Sequence, residues 1–564
     1  MTTWIQKRWE KGKMLSNLMP AILLSITACF MIFIFAPLEI YLGNQREFWY
    51  DSYTLFPFLI KDFLFFVAVS IVVHIIAYFL GEFLYTAALY CYFTCFIACY
   101  IQGNYLVNSL PPFDGTQIDW NLYRSENIKC IIIWLIIAII LLALVIIIKA
   151  KKFQKLVSFV SVFFFLMLGS TLTVVGINGG LLEQKQYSRF IKSNQFEMSK
   201  DTNFIILLLD AIDEESFWQV WEQHPEYEEA MADFTFYNNA MSGYAYTAHS
   251  LPLIVSGEWF ENDEPYEDYY LRIYRDSSFF NRLEEHGYSL SIYDDSLQFK
   301  LGTMDDEFAN MIYTKSTLSD EKLFNTRIIK MTGIKYAPYF LKPYCWFDPA
   351  KLNYQNMGAT DEELFVWTND AFYKDVQNNE ITYVDGKRFK LIHLMGAHVP
   401  FYYDQYVNEV DDADYYTCIE SSMTVTIAYL NKLREAGVYD NSIILVLSDH
   451  GYNTSDGAAK IAHIDEDQNG RQHPILFIKG LNESHEMNIS GAPISYADLV
   501  EAYYKLMDGQ LSDNCFDYRE GDYRERRYLL YKYLDEDHMV EYMQTGYAGD
   551  EDTLIPTGRV FNAK

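Results

Sequence analysis

Cysteine is scarce in this chain, with 8 among 564 residues, and only Cys345, Cys418 and Cys515 lie beyond the apolar N-terminal third. That excludes a disulfide-stapled scaffold. Basic residues are also few: 44 Lys and Arg face 75 Asp and Glu, for a formal net charge of -31. A surface so acidic repels a phosphate backbone, which argues against nucleic acid as a partner. No small-residue cleavage site follows the first apolar run, so it reads as a retained helix and not as a removed signal peptide. No internal repeat or low-complexity segment interrupts the remainder.

What is abundant is hydrophobic sequence, 51% of the chain, concentrated near the N-terminus. The segments Ala21 to Leu42, Phe63 to Leu80, Phe83 to Gln102, Cys130 to Ile148 and Leu156 to Ile177 each approach the roughly 18 to 20 residues that cross a bilayer as a helix. Five transmembrane helices are expected over residues 1–177. Lys7, Arg8, Lys11 and Lys13 precede the first, and Lys149, Lys151, Lys152 and Lys155 fill the turn between the fourth and fifth. Basic clusters stay in the cytoplasm, so an odd number of spans sends everything after Ile177 outside. The short Gly81-Glu82 turn leaves a re-entrant pair as an alternative for spans two and three. Cys91, Cys95 and Cys99 share one helix face and read as small packing residues.

A connector, 178–200, leads into a domain expected over 201–564. Its β-rich runs are Asn203 to Leu209, Tyr288 to Tyr293, Phe389 to Met395, Ser442 to Leu447 and Pro474 to Lys479. Helical patterns cover Phe279 to Glu285, Tyr416 to Ala436 and Tyr496 to Met507. Strands alternating with helices give an α/β sandwich with a mostly parallel sheet. Lys300 to Lys387 is irregular enough to be an insertion.

Ligands bind at the carboxyl ends of parallel strands. Asp210 follows the first strand, and Asp449-His450 follows the aliphatic run Ile443 to Leu447. Two carboxylates and an imidazole suit a divalent ion, zinc or manganese before magnesium or calcium. Taken alone, Asp449 equally reads as a turn cap. Between these residues, Ser242 to Pro252 opens an apolar run to Gly257, and a hydroxyl at a helix N-terminus beside a metal is a nucleophile candidate. The alternative is that Thr247 or Ser250 only caps the helix. His393 reads as a core residue. Trp259, Tyr402 and Tyr403 can stack on a sugar or fill space, and the runs Glu226 to Glu229 and Asp411 to Asp414 read as solvated acidic faces, with calcium an alternative at the second.

An apolar strand ending in an acid, a Thr opening a helix, Gly396-Ala397-His398-Val399-Pro400, and a strand ending Ser448-Asp449-His450-Gly451 together resemble the alkaline phosphatase superfamily. Within it the chain resembles the membrane-anchored sulfatase-fold transferases, lipoteichoic acid synthase and the lipid A phosphoethanolamine transferases. The resemblance implies metal ligands Asp210, Asp449 and His450, with Thr247 as nucleophile and ligand. It also implies His398 on the transferred phosphate, and His463 as a second phosphate-side histidine for which His473 competes. It departs from the family in using Asp210 where the transferases carry Glu. The Cys-x-Pro-Ser-Arg signature of sulfatases is absent around Thr247. No acid precedes His398 to complete a second metal site, so one metal is expected. The activity implied is transfer of a phospholipid head group, glycerophosphate or phosphoethanolamine, to an envelope glycan, teichoic acid or lipid. A hydrolase of the same fold and a non-catalytic envelope scaffold are the rivals. The place implied is a bacterial cell membrane, multi-pass, with the catalytic domain extracytoplasmic.

Overall fold

The computed structural model describes residues 11–45, 48, 50–107, 118–182, 187–295, 308–314, 317–347, 352, 357–358, 363–452, 471–532 and 535–563. The chain divides into two compact units, Met1–Lys185 with Ser316–Gly358, and Gln186–Lys315 with Ala359–Lys564. This differs from a division into 1–177, 178–200 and 201–564, because part of the expected insertion belongs with the N-terminal helices.

Among the described residues of the first unit, four helices are long and apolar enough to cross a membrane: Met14–Gly43, Ser52–Leu80, Glu82–Leu106 and Arg124–Asn178. Five separate helices were expected; four are found among the described residues, the last carrying two of the expected spans. The reason lies in the 55-residue fourth helix, which Lys149 breaks with non-helical φ 67° and ψ 157°. The two expected spans are its arms, and the chain turns back between them. Cys130 donates to Gln102 at one end of the bundle, and Gln45 donates to Gly179 O, at the far end of the second arm, over 2.8 Å. At the other end, Lys151 reaches Asn17 Oδ1 at 3.1 Å, and Tyr85 donates to Asn17 O at 2.7 Å. The basic residues of the Lys149 turn therefore sit with the N-terminal end of the first helix, and so does the Gly81 turn. Helices of 29 and 20 residues flank Gly81, each long enough to cross a membrane.

The second unit is built on a seven-stranded sheet. Its strands are β1 (Asn203–Leu209), β2 (Thr235–Tyr237), β3 (Tyr288–Tyr293), β4 (Lys387–Leu394), β5 (Ser442–Leu447), β6 (Leu476–Lys479) and β7 (Asn488–Ser490). The order across the sheet is β7-β2-β6-β5-β1-β4-β3. Only β6 runs antiparallel to its neighbours. Continuous aliphatic strands such as β1 and β5 are buried along their whole length, as strands covered on both faces must be. One face packs on Ile254, Tyr269, Phe279 and Tyr503; the other packs on Phe217, Phe372, Ile419 and Leu430. The helix Tyr415–Glu435 is stopped at its N-terminus by a capping box of Asp414 and Thr417, so Asp414 is a cap. Three antiparallel strands, Arg526–Lys532, Asp535–Gln544 and Leu554–Asn562, form a second sheet that the sequence pattern did not show. All eight cysteines are free.

Candidate active site and metal centre

Register decides which side chains meet. Leu447 of β5 pairs with Leu208 of β1, so the turns that follow the two strands start level. Leu394 of β4 pairs with Leu209 on the other side of β1, and Ile392 pairs with Tyr293 of β3. Four parallel neighbours thus deliver Asp210, Asp294, Gly396 and Asp449 to one edge of the sheet.

The turn after β1 is held from several sides. Ala211 adopts a left-handed φ of 60°; its N–H donates to Asp449 Oδ1 at 3.3 Å and that of Ile212 to Ser448 Oγ at 2.8 Å. Gly396 lies so close that a Cβ would fall 2.4 Å from Asp210 O and 2.5 Å from Asp210 N, at φ +59°. Fully buried Asn369 fixes this glycine, donating to Gly396 O at 2.9 Å and accepting from Gly396 N–H at 3.0 Å. Gly396→Ala is therefore expected to cost about 1–3 kcal/mol in overpacking and about 1 kcal/mol in left-handed strain. The measurement is a lowered denaturant midpoint together with weakened metal affinity; an unchanged midpoint sinks the argument.

Asp210, Asp449 and His450 bring one ligand atom each to within 4.8 Å of one another, and all three residues are buried. His450 Nδ1 lies 2.7 Å from Gly451 O. A carbonyl only accepts, so Nδ1 carries the proton and Nε2 turns its lone pair to the carboxylates. That Nε2 is 3.4 Å from Asp449 Oδ2 and 3.7 Å from Asp210 Oδ1. Among the described residues neither of these two buried oxygens has a hydrogen-bond partner. Buried acceptors left without donors are costly, and a divalent cation satisfies both. The donor set therefore fits a metal of the zinc or manganese type.

Thr247 opens the helix Thr247–Ser256, which Gly257 ends in a left-handed turn. Its hydroxyl donates to Asp210 Oδ2 at 3.2 Å and lies 3.4 Å from His450 Nε2. Half-buried, it stands between the proposed ligands and the surface. The second sheet braces this segment: Leu529 N–H donates to Gly243 O at 2.9 Å, and Tyr531 lies 2.7 Å from His249 Nδ1.

His393 has a larger role than the core packing expected of it. It is fully buried, with Nδ1 2.7 Å from Asp294 Oδ2 and Nε2 3.2 Å from Asp210 Oδ2. Burial opposes its charge, but Asp294 and Asp210 together hold its pKa well above the ordinary imidazole range. Burial likewise opposes ionisation of Asp210, yet His398, His393 and His450 keep its carboxyl well below the usual range. Asp449 is pushed up by burial and by Asp210. Half-buried His398 packs beside Trp367 at 5.6 Å between ring centroids, with Nδ1 on Val399 O. Arg471, which no sequence signal marked, lies 4.8 Å from the ring of Tyr246, the neighbour of Thr247, and donates to Ala245 O.

The remaining expectations divide. His463 lies outside the described residues. His473 is buried against Asn238 O at 2.9 Å and Glu214 at 3.8 Å, and burial lowers its pKa to about 4; its partners are not Thr247 or the three ligands. Tyr403 is buried and donates to Asp370, while Trp259 packs on Tyr244 and Arg527.

A family model described as Sulfatase matches residues 202–509. The chain belongs to the sulfatase family. No curated protein matches it. Among solved structures, it is similar to the lipoteichoic acid synthase LtaP from Listeria monocytogenes, 12% identical over 64% of this chain and 88% of that one, with a TM-score of 0.35. The C-terminal periplasmic domain of EcEptC from Escherichia coli, in complex with Zn, is 10% identical over 64% and 96%, with a TM-score of 0.33. A protein in the alkaline phosphatase superfamily from Vibrio parahaemolyticus is 12% identical over 66% and 80%, with a TM-score of 0.34.

Proposed function

We propose that this is a membrane-anchored, metal-dependent phosphotransferase that moves a phospholipid head group, glycerophosphate or phosphoethanolamine, to an envelope glycan, teichoic acid or lipid acceptor. The observation that carries the reading is the Thr247 hydroxyl, at a helix N-terminus and within 3.4 Å of both Asp210 and His450. The four apolar helices support confinement beside a lipid donor. The basic N-terminal end and the Lys149 turn lie together, which supports a cytoplasmic placement of that end and an extracytoplasmic catalytic unit in a bacterial cell membrane.

One divalent ion held by Asp210, Asp449 and His450, with Thr247 facing it, would favour the ionised threonine and withdraw charge from a bound phosphate. Thr247 Oγ1 attacks the phosphodiester phosphorus; the P–O bond to diacylglycerol breaks, and the lipid alkoxide takes a proton. His398, its Nδ1–H engaged on Val399 O, presents Nε2, which gives that proton when the ring carries both and takes one back from the acceptor in the second step. The helix N-terminus and Arg471 supply positive potential for the phosphate oxygens, and His463 is assigned a similar part. An acceptor hydroxyl or amine then attacks phosphorus and releases Thr247. His393, pinned between Asp294 and Asp210, keeps Asp210 ionised and correctly turned.

Incubating the purified full-length chain with head-group-labelled phospholipid tests the reading. Transfer releases diacylglycerol and labels an acceptor. Release of free head-group phosphate alone identifies a hydrolase, and no turnover with bound metal absent identifies a scaffold.

A further inference from the structure

We infer that the inserted segment Glu321–Phe347 is a membrane-interfacial element whose outer face rests among lipid head groups. This depends on the apolar helices crossing a bilayer and not on the reaction proposed for Thr247. Lys335 Nζ and Tyr336 OH both reach Glu39 Oε2, at 2.8 and 3.0 Å, at the C-terminal end of the first span. Phe324 stacks edge-on against Tyr50 and Phe58, at 5.0 and 5.4 Å, at the start of the second. The Tyr336 ring fills the space beside Gly103, where a Cβ would fall 2.5 Å away, at the end of the third. Tyr339 stacks on Tyr123, just before the fourth, at 6.5 Å. Ends of odd spans and starts of even spans coincide at only one side of a bundle. The segment is therefore anchored at the depth where helices leave hydrocarbon, on the side away from the Lys149 turn.

Its chemistry suits that depth. In an acidic chain, Glu321 to Phe347 carries Lys322, Arg327, Lys330, Lys335 and Lys342 against the single acid Glu321, with Tyr336, Tyr339, Phe340, Tyr344, Trp346 and Phe347. Aromatic and basic residues gather at the lipid–water boundary because one end of each prefers hydrocarbon and the other water. Lys335 is engaged by Glu39 and Lys342 by the carbonyl of Ile334. Lys322 stays exposed. The inner face of the segment is buried, yet Ile329, Phe340, Leu341 and Tyr344 are 43%, 51%, 42% and 77% exposed. The spans beside it expose lipid-facing residues such as Phe65, at 60%. Lipid is thus the occupant that continues the surface, and the exposed Lys322 matches its phosphates.

A benzophenone amino acid placed at Phe340 or Tyr344 of the full-length chain, in vesicles of phosphatidylcholine and phosphatidylglycerol, tests this. Position Phe65 serves as the lipid-facing control and Tyr523, 74% exposed in the second unit, as the aqueous one. Lipid adducts at Phe340 and Tyr344 are expected to approach the yield at Phe65 and exceed that at Tyr523 several-fold. Yields equal to Tyr523, or adducts to a second copy of the chain in place of lipid, overturn the inference. Lys322→Glu is expected to lower the phosphatidylglycerol adducts at Tyr344; an unchanged yield removes the head-group contact.

Discussion

Thr247→Ala is expected to abolish head-group transfer, by about 10⁴-fold or more, because a double displacement has no first step without its nucleophile. The wild-type Thr247 peptide, digested after incubation with phospholipid, gains the mass of the transferred head group as a phosphate ester; the variant peptide gains nothing. The fold should tolerate the change. The Thr247 hydroxyl reaches Asp210 and His450 at 3.2 and 3.4 Å, and its helix is secured instead by Gly257 and by the buried run Ser250 to Ser256. Unfolding midpoints of wild type and variant should therefore agree. Full turnover by Thr247→Ala, or an adduct on any other residue, would sink the covalent mechanism.

Asp449→Asn produces two opposite effects. The first is on metal affinity: loss of one of two carboxylates is expected to weaken zinc or manganese binding by more than about 100-fold, since even outer partners of a metal site are worth about 10–100-fold. The second is on the metal-free protein. Burial and Asp210 push the Asp449 carboxyl up, so the fold disfavours its charged form. Stability is therefore lost as pH rises through the unfolded value towards the raised one, and at neutral pH the cost is present. Removing the charge relieves it. Metal-free Asp449→Asn should thus be at least as stable as metal-free wild type. Adding the ion at about 100 times its wild-type Kd should stabilise wild type by about 2.7 kcal/mol and the variant by about 0.4 kcal/mol or less. Thermal melts with and without a chelator read both effects, and equal responses to the ion would remove Asp449 from the site.

The parts of this arrangement visible in the sequence are those written locally. β1, β3 and β5 stand at the ranges their β-rich runs mark, and Asp210 and Asp449 fall at strand ends because the aliphatic runs of β1 and β5 stop there. The helix from Thr247 to Gly257 is marked by its own terminator. The core position expected of His393 holds on the continuously buried end of β4, but the partner that gives it a further role, Asp294, lies 99 residues away. Asn369 was silent for the same reason: its side chain meets the Gly396 backbone across 27 residues. The two arms of the last apolar helix were legible as apolar lengths, and the lysines between them marked the place where Lys149 breaks it. The C-terminal sheet escaped notice because charged residues sit inside it; Glu541 is buried there against Arg527, Arg559 and Thr557.

The pairing of β1 with β5 also bears on how the chain holds together. Ala211 and Asp449 meet across 238 residues of sequence, and with every cysteine free no sulfur bridge closes that loop. An ion shared by Asp210 and Asp449 would act as its cross-link, and a tie over so long a loop removes much of the freedom of the unfolded chain. The same ion would then serve as a molecular rivet at the middle of the sheet, and a chelator would loosen strands that no reductant can touch.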